Sequence, residues 1–314
     1  MLFRSTTVGR DLDIGGLSYA LLETQGAQQW PFPAGATAGA ARLYEDGRFP
    51  TDSGRARFAP TRYRPTAEKS DARYPLHLNT GRLRDQWHGM SRTGRVGRLY
   101  HHAEEPFLEM NARDMARRLL VDGDIARLTS RRGTATLRVK ASEAMRAGQV
   151  FLPMHWGSRF MNSAGANALT VPLCDPVSRQ PELKHAAVQI TKLDLPWQLV
   201  VMRLAEEGTP TLDASSLLSR AQPLLGEFDY ATLGMFGHDR SAVILRAACA
   251  APAAAALIDR IDPLFGFDPQ LCLCYQDARR GISKRVMVRD GQVAGVRLTG
   301  RSEEHTSELQ SRLH

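Results

Sequence analysis

The stretch VDGDIARLTSRRGTATLRVKA, residues 121–141, alternates apolar and polar positions in two short runs around an Arg131-Arg132-Gly133 turn. A period of two sends successive side chains to opposite faces, so the stretch reads as an antiparallel pair buried on one face only. Such a pair must cover its apolar face with further strands, and the flanking sequence offers them. YPLHLN is a short apolar strand ending at Thr80-Gly81, RAGQVFLPMHW reads as a turn and a strand, and HAAVQITKL alternates again. Asn111 is a good N-cap for a short helix, ARDMARRLL, with Asp114 in the first turn where the helix dipole favours an acid. Roughly 74–193 is therefore one β-rich domain with small helices, expected to be a barrel.

Outside this region the texture changes. Residues 1–36 read as loop with one short apolar patch, LSYALLE, and QQWPFPAGATAGAA is expected to drape over a surface. Turn signals at Asp46-Gly47 and Ser53-Gly54 predict a small hairpin from RLYEDGRF and TDSGRARF, and RPTAEKSDARYP reads as a polar connector. Leu195-Pro196-Trp197 marks an exit from the barrel. Beyond it, ASSLLSRAQPLLGEF and AAPAAAALIDRID look helical, while SAVILRAA and the hairpin KRVMVRDGQVAGVRL look like strands, with Asp290-Gly291 as the turn. The expected division is a leading segment and connector over 1–73, a barrel over 74–195 and a smaller α+β region over 196–300. RSEEHTSELQS, 301–311, matches one reading frame of a widely used DNA-sequencing adapter, so 301–314 are set aside from fold reasoning. The plain alternative is a polar tail.

At 43% hydrophobic and 24% charged residues, the 314-residue chain has the composition of a globular protein. Its net charge of +8 favours an anionic partner, without choosing among nucleic acid, a membrane surface and a phosphorylated ligand. No apolar run approaches the ~18 residues of a membrane span, and the N-terminus lacks a signal-peptide stretch. Four cysteines, Cys174, Cys249, Cys272 and Cys274, are too irregular for a disulfide framework, which points to a reducing, cytoplasmic compartment. Cys272 and Cys274 share one face of a strand-like run, yet no second pair accompanies them to build a four-thiolate metal site. The sequence carries no self-contained catalytic motif.

The stretch NTGRLRDQWHGMSRTGR, Asn79 to Arg95, fits neither helical nor strand period. Five arginines stand against one aspartate between Thr80 and Leu99. Guanidinium forks suit phosphate and pyrophosphate oxygens, and backbone N–H groups around a Thr-Gly turn can form an anion-binding concavity. Trp87 offers a flat face for a planar ring, with Gln86 and His88 to read its polar edge. These groups suit a nucleotide-like ligand; the alternative is a solvated basic loop with Trp87 tucked into the core. In FLPMHWGSRFMNSAGANALT, His155 is either a catalytic base or a satisfied structural residue, on a loop whose small residues let backbone approach a ligand. In DPVSRQPELKHAA, Lys184 either contacts a phosphate or is simply exposed.

Taken together, NTGRLRDQWHGMSRTGR, EPFLEMNARDMARRLLVDGDIARLTSRRGTATLRV, GQVFLPMHWGSRF, NALT and DPVSRQPELKHAAV resemble one known domain. It is the C-terminal dinucleotide-binding domain of the bis-molybdopterin guanine dinucleotide oxidoreductases, most nearly that of the bacterial assimilatory nitrate reductase catalytic subunit. GRDLDIGGLSYALLE, QQWPFPAGA and RLYEDGRF resemble the same subunit's preceding segment. GISKRVMVRDGQVAGVRLTG resembles the small C-terminal domain of flavin-dependent pyridine-nucleotide reductases. The resemblance runs over nearly all of 8–300 and is weakest between 198 and 270.

The fold it implies is mainly β with α, a six-stranded double-psi β-barrel followed by a small α+β extension. It implies that Thr80, Gly81, Arg82, Gln86, Trp87 and His88 contact molybdopterin guanine dinucleotide. Met154 and His155 would lie near the pterin, Asn167 in the Asn-Ala-Leu-Thr step and Lys184 at the start of the last strand. No catalytic residue and no metal ligand is carried over. For a whole protein it implies reduction of nitrate to nitrite for nitrate assimilation, at Mo-bis(molybdopterin guanine dinucleotide). An electron-donor protein or reductase subunit, a [4Fe-4S] cluster and often a [2Fe-2S] cluster would take part, with the cluster ligands and the molybdenum-ligating cysteine outside this chain. The chain is then expected to be a fragment, inactive alone. Formate dehydrogenase shares the barrel, which leaves the substrate less fixed than the cofactor. A basic nucleic-acid-binding module is permitted by charge, but no RNP-like strand or recognition-helix pattern supports one, and no membrane partner is expected.

Overall fold

The computed structural model describes residues 5–206 and 208–301, and the chain divides into two compact units, Met1–Pro65 and Thr66–His314. The adapter-like stretch beyond Arg301 lies outside the described residues. In the first unit LSYALLE, expected as loop, forms part of the helix α1 (Tyr19–Gln25). The signal lay just upstream: Ser18 caps the helix by accepting from the Leu21 N–H at 3.1 Å, and Gly26 ends it at φ 75°. The expected hairpin over 42–58 does not form, although both turns do. Gly47 and Gly54 take φ of 69° and 67°, and the Phe49 N–H donates to the Gly54 carbonyl at 2.9 Å. Turn residues in both arms leave too few consecutive extended residues for a ladder.

In the second unit six strands close into a barrel: β1 (Leu76–Gly81), β2 (Phe107–Met110), β3 (Ile125–Thr129), β4 (Thr134–Ala141), β5 (Gln149–Pro153) and β6 (Ala186–Lys192). The order is β1-β5-β2-β4-β3-β6, parallel for β1 with β5 and β2 with β4, antiparallel elsewhere. The alternation of the Thr134–Ala141 stretch is realised in β4, where Ala135, Leu137 and Val139 are buried and their neighbours are not. The helix α2 (Ala112–Ala116) is capped as expected, Asn111 accepting from the Arg113 N–H at 3.0 Å. Asp114 also accepts from the Gly148 N–H at 2.6 Å, which ties the helix to the lead-in of β5.

The pairing decides where the connections emerge. Gly81 lies beside Pro153 in the parallel pair, and Leu78 lies opposite Ala186 in the antiparallel one. The ends of β1 and β5, the start of β6 and the β3–β4 turn therefore share one rim of the barrel.

The remaining strands are β7 (Trp197–Leu204), β8 (Tyr230–Phe236), β9 (Ala242–Cys249), β10 (Cys272–Asp277), β11 (Ile282–Arg289) and β12 (Gln292–Arg301). They form an antiparallel sheet in the order β10-β11-β12-β7-β9-β8, accompanied by α3 (Ala214–Ala221) and α4 (Ala255–Leu264). The Asp290-Gly291 turn has φ of 51° and 73°, the positive pair that a two-residue hairpin needs. The Arg297 guanidinium of β12 grips Asp262 of α4 at 2.8 and 3.3 Å, tying that helix to the sheet. Barrel and sheet share one apolar cluster, in which Leu78, Leu137 and Val150 join Leu199, Leu233 and Leu245. No helix among the described residues is long and apolar enough to cross a membrane.

Candidate functional site

The rim gathers most of the residues singled out from sequence. β1 ends at Thr80 and Gly81, and the loop that follows carries Arg82, Gln86, Trp87 and His88. β5 ends beside it, with the Met154 N–H donating to the Gly81 carbonyl at 2.9 Å. Lys184, just before β6, donates to the Thr80 carbonyl at 2.9 Å, while the Thr80 hydroxyl donates to the Leu183 carbonyl at 2.5 Å. Asn167 is on the same rim but apart from this group, in a short 3-10 turn that lies over the β3–β4 connection, and its side chain is exposed. Gly81 has a packing reason to be glycine: a Cβ there would sit 2.6 Å from the Phe151 ring.

The basic loop is not loosely solvated. Gln86 is buried, donates to the Leu99 carbonyl at 2.9 Å and accepts from the Thr93 hydroxyl at 2.6 Å. That hydroxyl in turn accepts from the Trp87 N–H at 3.2 Å. Thr93 is thus a hub of the loop that sequence reasoning missed, since a threonine in a polar run carries no signal of its own. Met90, with a φ of 58°, plugs the loop into the core. Trp87 is not tucked away: it is 45% exposed, meets His88 edge-on at 4.6 Å between centroids and lies under the Arg92 guanidinium at 5.8 Å.

The arginines divide by use. Arg84 pairs with Asp85 at 2.9 Å, and Arg98 donates to the His238 carbonyl at 3.4 Å. Arg82, Arg92 and Arg95 are exposed and have no carboxylate within 4 Å among the described residues. The arginines of the Arg-Arg-Gly turn are structural. Arg131 and Arg132 close on Glu68 in the connector at 2.7 Å each, and the Ala187 N–H adds a bond at 3.0 Å. Burial alone would raise the Glu68 carboxyl, but Arg132, the Ala187 N–H and Arg131 outweigh it and hold it at about 2.

His155 is buried at 1% exposure with both ring nitrogens committed to the β1 loop. Nε2 accepts from the Leu83 N–H at 2.8 Å, and Nδ1 lies 2.5 Å from the His88 carbonyl. A backbone N–H can only donate and a carbonyl can only accept, so the ring is neutral with its proton on Nδ1. Burial pushes its pKa down, the hydrogen bond to His88 opposes this, and the nearby His88 and Arg82 charges push it further down. Beside it Trp156 is buried with an indole N–H that finds no acceptor among the described residues.

The second sheet props both rim loops. β8 extends its ladder through the β5 loop: the Leu233 N–H donates to the Phe160 carbonyl at 2.8 Å, and the Asn162 N–H to the Ala231 carbonyl at 3.1 Å. The β1 loop rests on the same strand at Gly97, where a Cβ would stand 2.7 Å from the Phe236 carbonyl oxygen. Cys272 and Cys274 are elsewhere, on the edge strand β10.

Residues 76–187, the barrel from its first strand into its last, match the family model of the molydopterin dinucleotide binding domain. The chain's relatives include nitrate reductases and formate dehydrogenases. It is 38% identical over 186 residues to the nitrate reductase of Klebsiella oxytoca, covering 58% of this chain and 21% of that protein. It is 39% identical over 189 residues to the nitrate reductase of a Synechocystis species, covering 59% and 26%. It is 34% identical over 178 residues to the F420-dependent formate dehydrogenase subunit alpha of Methanocaldococcus jannaschii, covering 57% and 25%. The chain thus spans about a quarter or less of the length of these relatives.

Proposed function

We propose that the rim binds molybdopterin guanine dinucleotide, and that the chain is part of a cytoplasmic, molybdenum-dependent reductase that converts nitrate to nitrite for assimilation. The observation that carries this reading is the shaped basic loop: Arg82, Arg92 and Arg95 have no carboxylate partner among the described residues, next to a half-exposed Trp87, on a backbone fixed by Gln86, Thr93 and His155. Three cationic forks and an aromatic face suit a pyrophosphate and the rings on either side of it. The donor set therefore fits the group, and Trp156 supplies a further N–H without a partner among the described residues.

In this reading the arginines neutralise the pyrophosphate, Thr80 and Gly81 present backbone at close range, and Trp87 with His88 flanks a ring. Gln86 shapes the loop from within. Lys184 steadies the end of β1, and Met154 and Asn167 line the remaining rim. When bound, the molybdenum and its dithiolenes supply the two-electron redox chemistry, while the chain binds and orients the group. Parallel pairing of β1 with β5 and of β2 with β4 in a closed six-stranded barrel supports the double-psi topology. The iron–sulfur clusters and an electron-donor partner belong to the longer protein. We assign residues 74–195 to the dinucleotide-binding domain and 196–300 to its extension.

The test is expression of the longest reading frame that contains this sequence, in a host that makes the cofactor. Molybdenum and guanine nucleotide should co-purify with it, and reduced viologen should be oxidised by nitrate. Absence of both ligands would overturn the cofactor reading. Turnover of formate and not nitrate would favour the second reading, which the 34% identical formate dehydrogenase subunit supports.

A further inference from the structure

We propose that His155 is a positioning residue, whose neutral imidazole clamps the β1 loop from both sides and so sets the shape in which its arginines and Trp87 meet a phosphate-bearing ligand. The inference concerns this loop's geometry, and only its last clause rests on the dinucleotide reading. Leu83 and His88 stand at the two ends of the segment that carries Arg84, Asp85, Gln86 and Trp87. One ring bridges them, accepting from the Leu83 N–H at 2.8 Å and donating to the His88 carbonyl at 2.5 Å. Because the ring comes from the end of β5, it transfers the rigidity of the parallel β1–β5 pair to the loop beyond it. A ring used on both nitrogens has none left for proton transfer, and at 1% exposure it is closed to a ligand as well.

The clamp needs one donor and one acceptor, and that makes it a pH-dependent device. An imidazolium carries N–H on both nitrogens, so on protonation Nε2 would face the Leu83 N–H with a second N–H. The groups that face the ring are His88 and Arg82, from the β1 loop, and the Trp156 indole, at 6.2 Å between centroids. None is an anion that would hold the charged form. The folded ring therefore protonates below the ordinary 6.5, and the clamp is complete above that value and lost as pH falls through the folded one.

Hydrogen exchange and long-range proton–nitrogen NMR on this chain, with no ligand added, read the clamp directly. At neutral pH His155 should show the Nδ1–H tautomer, and the Leu83 amide should be protected, losing protection as pH drops below 6.5. A side-chain amide has its oxygen and nitrogen spaced much as the two imidazole nitrogens are, and it does not titrate. His155→Gln should therefore retain protection at Leu83 and make it independent of pH between about 5 and 8. His155→Ala should lower it at least about tenfold. An Nε2–H tautomer, an imidazolium at pH 7, or equal protection in wild type and His155→Ala would overturn the proposal. The NMR result stands on the wild-type chain even where a variant fails to fold. Inorganic pyrophosphate, added as probe, separates the two readings. Perturbed Arg82 and Trp87 signals in wild type, weakened in His155→Ala, support positioning for an anion. An intact clamp with no response to pyrophosphate overturns the positioning role and leaves the cofactor to be tested by co-purification.

Discussion

Glu68 illustrates how one residue can decide a local fold. It stands in a polar connector, yet its carboxylate is met by Arg131, Arg132 and the Ala187 N–H, which fasten the connector to the β3–β4 turn and the start of β6. Removing it leaves two guanidinium groups without their shared acceptor, so Glu68→Ala should lower unfolding stability by about 2 kcal/mol. Its carboxyl is held at about 2 when folded against an ordinary 4.5. A depressed carboxylate stabilises the fold fully above the unfolded value and loses that contribution as pH falls through the folded one. Urea midpoints of wild type and Glu68→Gln should accordingly differ most at neutral pH and converge between 4.5 and about 2. A gap that persists at the acid end would mean that the carboxylate charge is not what stabilises the knot. Thr93 poses a similar question in the basic loop. Thr93→Val keeps the shape but removes the hydroxyl shared by Gln86 and the Trp87 N–H. It should cost about 1–2 kcal/mol, since the buried Gln86 is left one partner short, and should shift Trp87 fluorescence.

At the level of elements, the β1–β5 pair is the structure on which the site stands, and Gly81 is its tightest point. A Cβ at 2.6 Å from the Phe151 ring forces that side chain to move, so Gly81→Ala should destabilise by about 1–3 kcal/mol. Phe151→Leu in the same chain should recover part of the loss, and thermal unfolding of the two single variants and the double variant checks the coupling. The sequence announced the strands that alternate. β3, β4 and β6 are half-buried and keep a period of two, and the Asp290-Gly291 hairpin carries its turn chemistry in plain view. β8 escaped because YATLGMF is buried on both faces, which erases the alternation, and β7 because no residue of WQLVVMRL is exposed and its polar Gln198 and Arg203 fall on opposite faces. β2 escaped because four residues are too few to show any period. The site was legible in its residue types, through the run of arginines beside a tryptophan. Its rigidity was not, because His155 and the Gln86–Thr93 pairing act across folded distances that no local pattern encodes.

At the scale of the molecule, the second sheet is more than an appendage to the barrel. β8 pairs with the Phe160–Asn162 segment of the β5 loop, supports the β1 loop at Gly97 and sends Leu233 into the apolar cluster that also contains Leu78, Leu137 and Val150. The two sheets therefore have a shared interior rather than an interface, and their stabilities should be linked. Leu233 is almost fully buried, so Leu233→Ala should cost about 3 kcal/mol from lost burial and the cavity left behind. The informative readout is where the loss appears. If barrel and sheet unfold together, hydrogen exchange should speed up by a similar factor at Leu137 in β4, at Leu245 in β9 and along the β1 loop. Two independent domains would confine the change to β7–β9 and leave Leu137 at its wild-type rate. The first outcome would mean that the rim keeps its shape only while the extension is folded behind it, so that a barrel cut off after β6 would hold its strands less firmly and its basic loop least of all.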